Sequence, residues 1–149
     1  MCGIGTFAIQ IAKCRGVRVF ATAGSDEKLA FCKKLGADVC INYKTEDFVA
    51  RVKEETGGKG VNVILDCVGA PYFQRNLDSL DFDGRLFIIG TQGGAKTEPN
   101  IGSLLARRLT VQAGEVKPVI HKYFPLSEAA EAHQLMESSQ HIGKIMLVT

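Results

Sequence analysis

The stretch VRVFATAGSDEKLAFCKKLGADVCINY, residues 17–43, decides the fold. Val17 to Ala23 is rich in β-branched and aromatic residues and reads as a strand. Ser25 offers a hydroxyl to cap a helix, and Asp26 and Glu27 fill the first turn, where the helix dipole favours carboxylates. Gly36 suits the left-handed position that ends such a helix, and Val39 to Tyr43 reads as a second, short strand. A strand, a capped helix and a strand in close succession are the unit of a parallel sheet.

The same design extends outward in both directions. Upstream, Thr6 to Cys14 is apolar on most sides and stops before Gly16, which predicts a helix. Downstream, Thr45 to Thr56 places Phe48, Val49 and Val52 on one helical face and is broken by Gly57-Gly58-Lys59-Gly60. Val61 to Asp66 is then a strand, Tyr72 to Leu80 a helix ended by Gly84, and Arg85 to Ile89 a strand closed by Gly90-Thr91-Gln92-Gly93-Gly94. A short helix over Ile101 to Ala106, capped by Asn100, leads to a strand over Leu109 to Gln112. This alternation predicts an α/β fold of the Rossmann type, a doubly wound parallel sheet. After Gln112 the rhythm falters: residues 113–118 are a break, Val119 to Phe124 is extended, Ser127 to Glu137 is helical and Gly143 to Val148 is a strand. Two parts are therefore expected, 1–112 and 113–149.

With 149 residues, 46% of them hydrophobic and 23% charged, the chain can bury the core of one compact domain. Its longest apolar runs, Val61 to Val68 and Leu86 to Ile89, fall far short of the roughly 20 residues that span a bilayer. Neither a secretory nor an import signal is evident at the start, so a cytoplasmic location is expected. The net charge of +2 is dispersed among acidic residues, which argues against nucleic acid as a partner. Five cysteines, at 2, 14, 32, 40 and 67, form no Cys-x-x-Cys pair and argue against a structural metal. The histidines at 121, 133 and 141 show no arrangement suggestive of a triad, and no catalytic residue is assigned.

Gly3-Ile4-Gly5 stands directly before the first helix, where backbone N–H groups and the positive dipole end would face an anion. Glycine there lets a diphosphate approach the backbone. About 20 residues on, a dinucleotide fold brings its second strand to the adenosine ribose. That place here is Ala23-Gly24-Ser25, without the acid that would receive a ribose 2'-hydroxyl. Ser25 instead offers a hydroxyl and a helix-terminal N–H, and Lys28 a cation within reach of a 2'-phosphate. This favours NADPH over NADH. Asp26 is the counter-evidence, although its place in the first helical turn also gives it an ordinary capping role. The strand tips Val68-Gly69-Ala70 and Gly90–Gly94 lie where ligands collect in open α/β sheets.

The segments GIGTFAIQIAK, VFATAGSDEKLAFCKKLGAD, INYKTEDF, DCVGAPYFQRNLDSL and GRLFIIGTQGG together resemble the quinone oxidoreductase branch of the medium-chain dehydrogenase/reductase family, the zinc-type alcohol dehydrogenase-like proteins. The resemblance implies that Gly3, Ile4 and Gly5 hold the diphosphate, Gly24, Ser25 and Lys28 the 2'-phosphate, and Tyr43 the adenosine end. It also implies that Val68, Gly69, Gly90, Thr91 and Gln92 line the ribose and nicotinamide. The implied chemistry is hydride transfer from NADPH to a quinone or conjugated carbonyl without metal, by a protein that forms homodimers. The alternative is a catalytically silent nucleotide-binding or dimerisation module.

Against that family pattern the chain begins inside the glycine turn, without the preceding strand and the substrate domain ahead of it. A helical crossover is also missing near Gln112-Ala113, so residues 113–149 read as the end of that second domain. Both gaps are expected of a shortened splice form or gene model. The missing strand would be the central one, buried on both faces, so a marginal fold or a substitute strand is expected, with Ile145 to Thr149 as the candidate.

Overall fold

The computed structural model describes residues 3–113, 120–138 and 144–148. Most of the predicted break after Gln112, the histidine at 141 and the predicted strand ends Val119, Gly143 and Thr149 lie outside these residues. The chain divides into two compact units, Met1–Asn42 with Val116–Thr149, and Tyr43–Glu115. All of the described strand pairs are parallel, and together with the intervening helices they make the fold a Rossmann-type α/β fold.

In the first unit, helix α1 (Gly3–Cys14) is followed by strand β1 (Phe20–Ala23), helix α2 (Asp26–Lys34) and strand β2 (Val39–Asn42). β1 pairs with β2 in parallel, Phe20 opposite Val39 and Ala23 opposite Asn42. The core is small: Ile9, Ala21, Cys32 and Ala37, with Val19, Leu35 and Cys40 packed against them. Strand β1 is shorter than the predicted Val17–Ala23, because Val19 is already committed elsewhere. Its N–H donates to the Asp38 carboxylate at 2.7 Å, and its carbonyl accepts from the N–H groups of Asp38 and Val39. The same carboxylate takes both hydrogen bonds of the Lys13 ammonium, at 2.9 and 3.0 Å.

The tail corrects the sequence reading. Strand β6 (Ile120–Pro125), a 3-10 turn at Leu126–Glu128, helix α6 (Ala129–Glu137) and strand β7 (Lys144–Val148) form one more β-α-β unit, its strands parallel. The α/β rhythm therefore continues. Among the described residues the pairing of β7, the candidate substitute strand, is with β6.

The second unit runs helix α3 (Phe48–Glu55), strand β3 (Val61–Asp66), a 3-10 turn at Ala70–Tyr72, helix α4 (Phe73–Ser79), strand β4 (Leu80–Ile88), helix α5 (Ile101–Arg107) and strand β5 (Thr110–Ala113). The sheet order is β3-β4-β5. Leu77, Leu80 and Leu86 are fully buried and organise its core, with Ile64, Phe73, Ile88 and Leu104 around them. Helix α3 starts later than the predicted Thr45 because the Asp47 carboxylate caps it at Val49 N–H, 3.0 Å away. Asn100 precedes α5 without a side-chain cap, contrary to expectation; its N–H donates to the Gln74 side-chain oxygen at 3.1 Å.

The largest departure is at the α4–β4 junction. The sequence predicts a helix to Leu80 ended by Gly84, yet Leu80 to Gly84 already belong to β4. The register explains it: Val61 faces Leu80 but Val63 faces Arg85, so β4 bulges outward between these pairs. Asp83 takes the left-handed conformation at the bulge (φ 57°), and its carboxylate is gripped by both arms of the Arg108 guanidinium at 2.7 Å.

Among the described residues β3 pairs on one side only, and Val63 and Leu65 on it are 46% and 38% exposed. Parallel strands normally bury both faces, so this edge is the least protected part of the sheet.

Two outcomes follow from these contacts. A Cβ at Gly60 would lie 2.6 Å from the Ser79 carbonyl oxygen and 2.7 Å from the Leu80 carbonyl carbon, at φ +116°. Gly60→Ala is expected to cost about 3 kcal/mol or more in urea unfolding. At Asp38, the Val19 N–H first and the Lys13 ammonium second hold the carboxyl below its ordinary range. A value lowered on folding means stabilisation present above that range and lost as pH falls through it. Asp38→Asn should therefore flatten the acid side of a plot of urea midpoint against pH while leaving its neutral-to-alkaline shape unchanged.

Candidate functional site

The residues singled out by sequence fall in both units. In the first, Gly3, Ile4 and Gly5 form the opening turn of α1 rather than a turn ahead of it. The backbone N–H groups of a first helical turn have no intrahelical partners, so the change of position keeps their capacity to face an anion. The Thr6 hydroxyl folds back to donate to the Gly3 carbonyl at 2.7 Å, holding this turn together. A Cβ at Gly5 would meet nothing within 4 Å, so packing against the described residues does not demand glycine here.

Gly24 and Ser25 connect β1 to α2. Ser25 is the N-cap, in extended conformation, its hydroxyl accepting from Lys28 N–H at 3.5 Å. The long bond makes this a weak cap and leaves much of the hydroxyl's capacity unused. Lys28 is half-buried, and among the described residues its ammonium has no hydrogen-bond or ion-pair partner. Of the two acids in the first turn of α2, Asp26 and Glu27, Asp26 takes a hydrogen bond from the Asn42 amide at 2.9 Å. Asn42 ends β2, 16 residues away, and sequence reading missed it because nothing local links the two.

In the second unit the tips of β3 and β4 are stitched together. Ile89 N–H donates to the Asp66 carbonyl, Gly93 N–H to Val68 and Ala70 N–H to Gly94, at 2.8, 2.8 and 2.9 Å. Gln92 N–H reaches Cys67 at 3.3 Å. Val68, Gly69, Gly90, Thr91 and Gln92 thus belong to one double loop. Gly69 is required there: at φ +85°, a Cβ would lie 2.6 Å from the Gly94 carbonyl oxygen and 3.1 Å from Thr91 Cα. The organising side chain is Asp66, buried, whose carboxylate accepts from Val68 N–H at 2.8 Å and Gly69 N–H at 3.0 Å. Sequence reading passed over it, although an Asp closing a strand ahead of Cys-Val-Gly carries the signature of a side-chain-capped turn.

Tyr43 packs against Tyr72, ring centroids 5.8 Å apart, and Tyr72 meets Phe48 edge-on at 5.7 Å. The Arg75 guanidinium lies 4.1 Å from the Phe48 centroid and pairs with Asp47 at 2.8 Å. Tyr43 is therefore backed by an aromatic group that a fixed cation holds in place.

Other chemistry is not assembled among the described residues. No three His, Cys, Asp or Glu side chains converge on a point that could hold a metal ion. These residues do not build a zinc centre. Cys14, Cys32, Cys40 and Cys67 are thiols. Burial, with Cys40 nearby, pushes the Cys32 thiol up, and burial pushes Cys40 up, which holds both in the unreactive protonated form. No described helix is long and apolar enough to cross a membrane.

Comparison with known proteins defines the class. The family model described as zinc-binding dehydrogenase matches residues 3–124, and a second model of that description matches residues 109–147. The chain belongs to the zinc-binding dehydrogenase family. It is 33% identical to quinone oxidoreductase 1 of Escherichia coli, over 98% of this chain and 54% of that protein. The crystal structure of Escherichia coli quinone oxidoreductase complexed with NADPH superposes with a TM-score of 0.82 at 31% identity, covering 99% of this chain and 54% of that one. A crystal structure titled NAD-dependent alcohol dehydrogenase superposes with a TM-score of 0.81 at 34% identity, covering 99% and 49%. The chain spans about half the length of the relatives it matches.

Removing the Asp66 carboxylate would leave two N–H groups of the double loop without an acceptor. Asp66→Ala is expected to cost about 2–3 kcal/mol in chemical denaturation, with faster amide exchange at Val68 and Gly69, and Asp66→Asn to cost less.

Proposed function

We propose that this chain binds NADPH and belongs to a quinone reductase-type oxidoreductase, with residues 1–112 as its nucleotide-binding part and 113–149 as the end of a second domain. The observation that carries this reading is the half-buried Lys28 ammonium, without a partner among the described residues, in the first turns of a helix where the Asp26 carboxylate takes a hydrogen bond from the Asn42 amide. An ammonium so placed matches a 2'-phosphate, and an acid so engaged is a poor acceptor for a 2'-hydroxyl. Support also comes from the relatives named quinone oxidoreductase and from the two NADPH complexes among the structural neighbours.

When bound, NADPH supplies a hydride to an electron-poor acceptor such as a quinone or conjugated carbonyl. The chain's own work is binding and orientation. The N–H groups of Gly3, Ile4 and Gly5 meet the diphosphate, and Gly24, Ser25 and Lys28 the 2'-phosphate. Tyr43 flanks the adenosine end, and Val68, Gly69, Gly90, Thr91 and Gln92 admit the ribose and nicotinamide close to the backbone. The double loop is rigid enough for that role because its positions are set by backbone hydrogen bonds and a buried carboxylate. A homodimer and a cytoplasmic location complete the proposal.

A second reading is a nucleotide-binding or dimerisation module without turnover. NADPH fluorescence titration and NADPH oxidation with a simple quinone separate the two, since binding without oxidation supports the second. Within either, Lys28→Glu should weaken NADPH binding about 10- to 100-fold while leaving NADH binding within a few-fold. An unmoved preference would overturn the role given to Lys28.

A further inference from the structure

Outside the residues considered for the dinucleotide, the second unit holds a hollow of about 640 Å³, in the size range of small-molecule sites. Its walls carry three cations, Lys53, Lys59 and Arg107, against one carboxylate, Asp81. Three elements bring them together: the end of α3 with its glycine turn, the bulge at the start of β4, and the last turn of α5. The convergence is built rather than incidental. Gly60, which cannot accept a side chain, presses the turn onto the backbone of Ser79, Leu80 and Asp81. Its N–H donates to the Thr56 hydroxyl at 2.8 Å, and that hydroxyl donates onward to the Val52 carbonyl at 2.7 Å. Arg107 donates to the Leu80 carbonyl at 3.0 Å, and Lys53 donates to the Lys59 carbonyl at 2.7 Å.

The charges in this hollow do not balance. Among the described residues neither Lys53 nor Lys59 has a carboxylate within ion-pair distance, and Arg107 reaches only Asp78, at 3.6 Å. The Asp81 carboxylate is turned to its neighbour's backbone, accepting from Phe82 N–H at 2.8 Å. Lys53 is half-buried, and burial first, then the Arg107 charge, lowers its pKa against the opposing charges of Asp81 and Asp78. Gathering like charges around a partly desolvated ammonium is unfavourable unless an anion joins them. Beside them Phe82 presents its ring to solvent, 57% exposed. Its carbon surface is of the kind a flat ligand ring would cover.

We propose that this hollow is a binding site for a small organic phosphate, its phosphate group held by Lys53, Lys59 and Arg107 and a flat apolar portion lying on Phe82. Phosphate suits three cations approaching from the end of α3, its glycine turn and α5, because its oxygens accept hydrogen bonds in several directions at once.

The test is a titration of the full, isotopically labelled chain with inorganic phosphate and with phenyl phosphate at constant ionic strength, read at the amides of Gly57, Gly58, Lys59 and Phe82. Both should give saturable shifts, with phenyl phosphate binding about 10-fold more tightly. Lys53→Gln and Lys59→Gln should each weaken both ligands about 10-fold. Phe82→Ala should bring phenyl phosphate down to the affinity of phosphate. Shifts reproduced by sodium chloride, or untouched by either lysine variant, would overturn the proposal, and benzoate binding as tightly as phenyl phosphate would overturn its phosphate assignment. Lys59, being exposed, is the variant least able to disturb folding, and NADPH titration of Lys59→Gln should match the unaltered chain. A parallel fall in NADPH affinity would show the hollow to be no separate site.

Discussion

A strand must stop without leaving its backbone groups unpaired, and the second unit meets that constraint at β3 with a single side chain. The carboxylate of Asp66 turns the chain by accepting two successive N–H groups, and the carbonyl of the same residue receives Ile89 from the next strand tip. Everything downstream depends on it. Gly69 can then approach Gly94 and Thr91 so closely that no side chain fits, and two loops that would separately be mobile behave as one surface. In the first unit a carboxylate serves the opposite ends of the strands. There Asp38, just before β2, accepts from the N–H of Val19, just before β1, and ties Lys13 of α1 to the same spot.

The Asp66 carboxylate satisfies two backbone donors, whereas Asp38 combines a backbone donor with the Lys13 ammonium. A carboxylate whose oxygens are taken up by turn N–H groups is compatible with the anion-binding surface proposed for the nucleotide. At the β1–α2 connection the same effect comes from the Asn42 amide on Asp26. The electrostatic character of the proposed dinucleotide surface is thus set as much by how its acids are engaged as by the position of Lys28.

The elements with strong local signals were legible in the sequence. Ser25 as a cap, the left-handed glycines at 16, 36 and 57, and strand Val61–Asp66 all depend on interactions within a few residues, which is why composition and periodicity found them. The family was legible for a similar reason, through short contiguous segments. What sequence could not give were the contacts that join distant residues. The bulge at Leu80–Arg85 is one: its pattern reads as the end of a helix until β3 imposes a register on it. The first turn of α1 is another, since two glycines suggest a loop by propensity but are helical in the fold. The parallel pairing of β6 with β7 is a third, hidden because the pairing partner is separated by a whole helix. Of the candidate site, the residue types were readable, and the support beneath them, from Asp66, Asn42 and Arg75, was not.

The Asn42–Asp26 hydrogen bond has an implication for how coenzyme choice is encoded in such a fold. On the reading proposed above, an acid that could accept a ribose hydroxyl is present in the turn and already takes a hydrogen bond from an amide at the end of the neighbouring strand. Coenzyme preference would then depend on a residue outside the turn, at the end of β2, as well as on the turn itself.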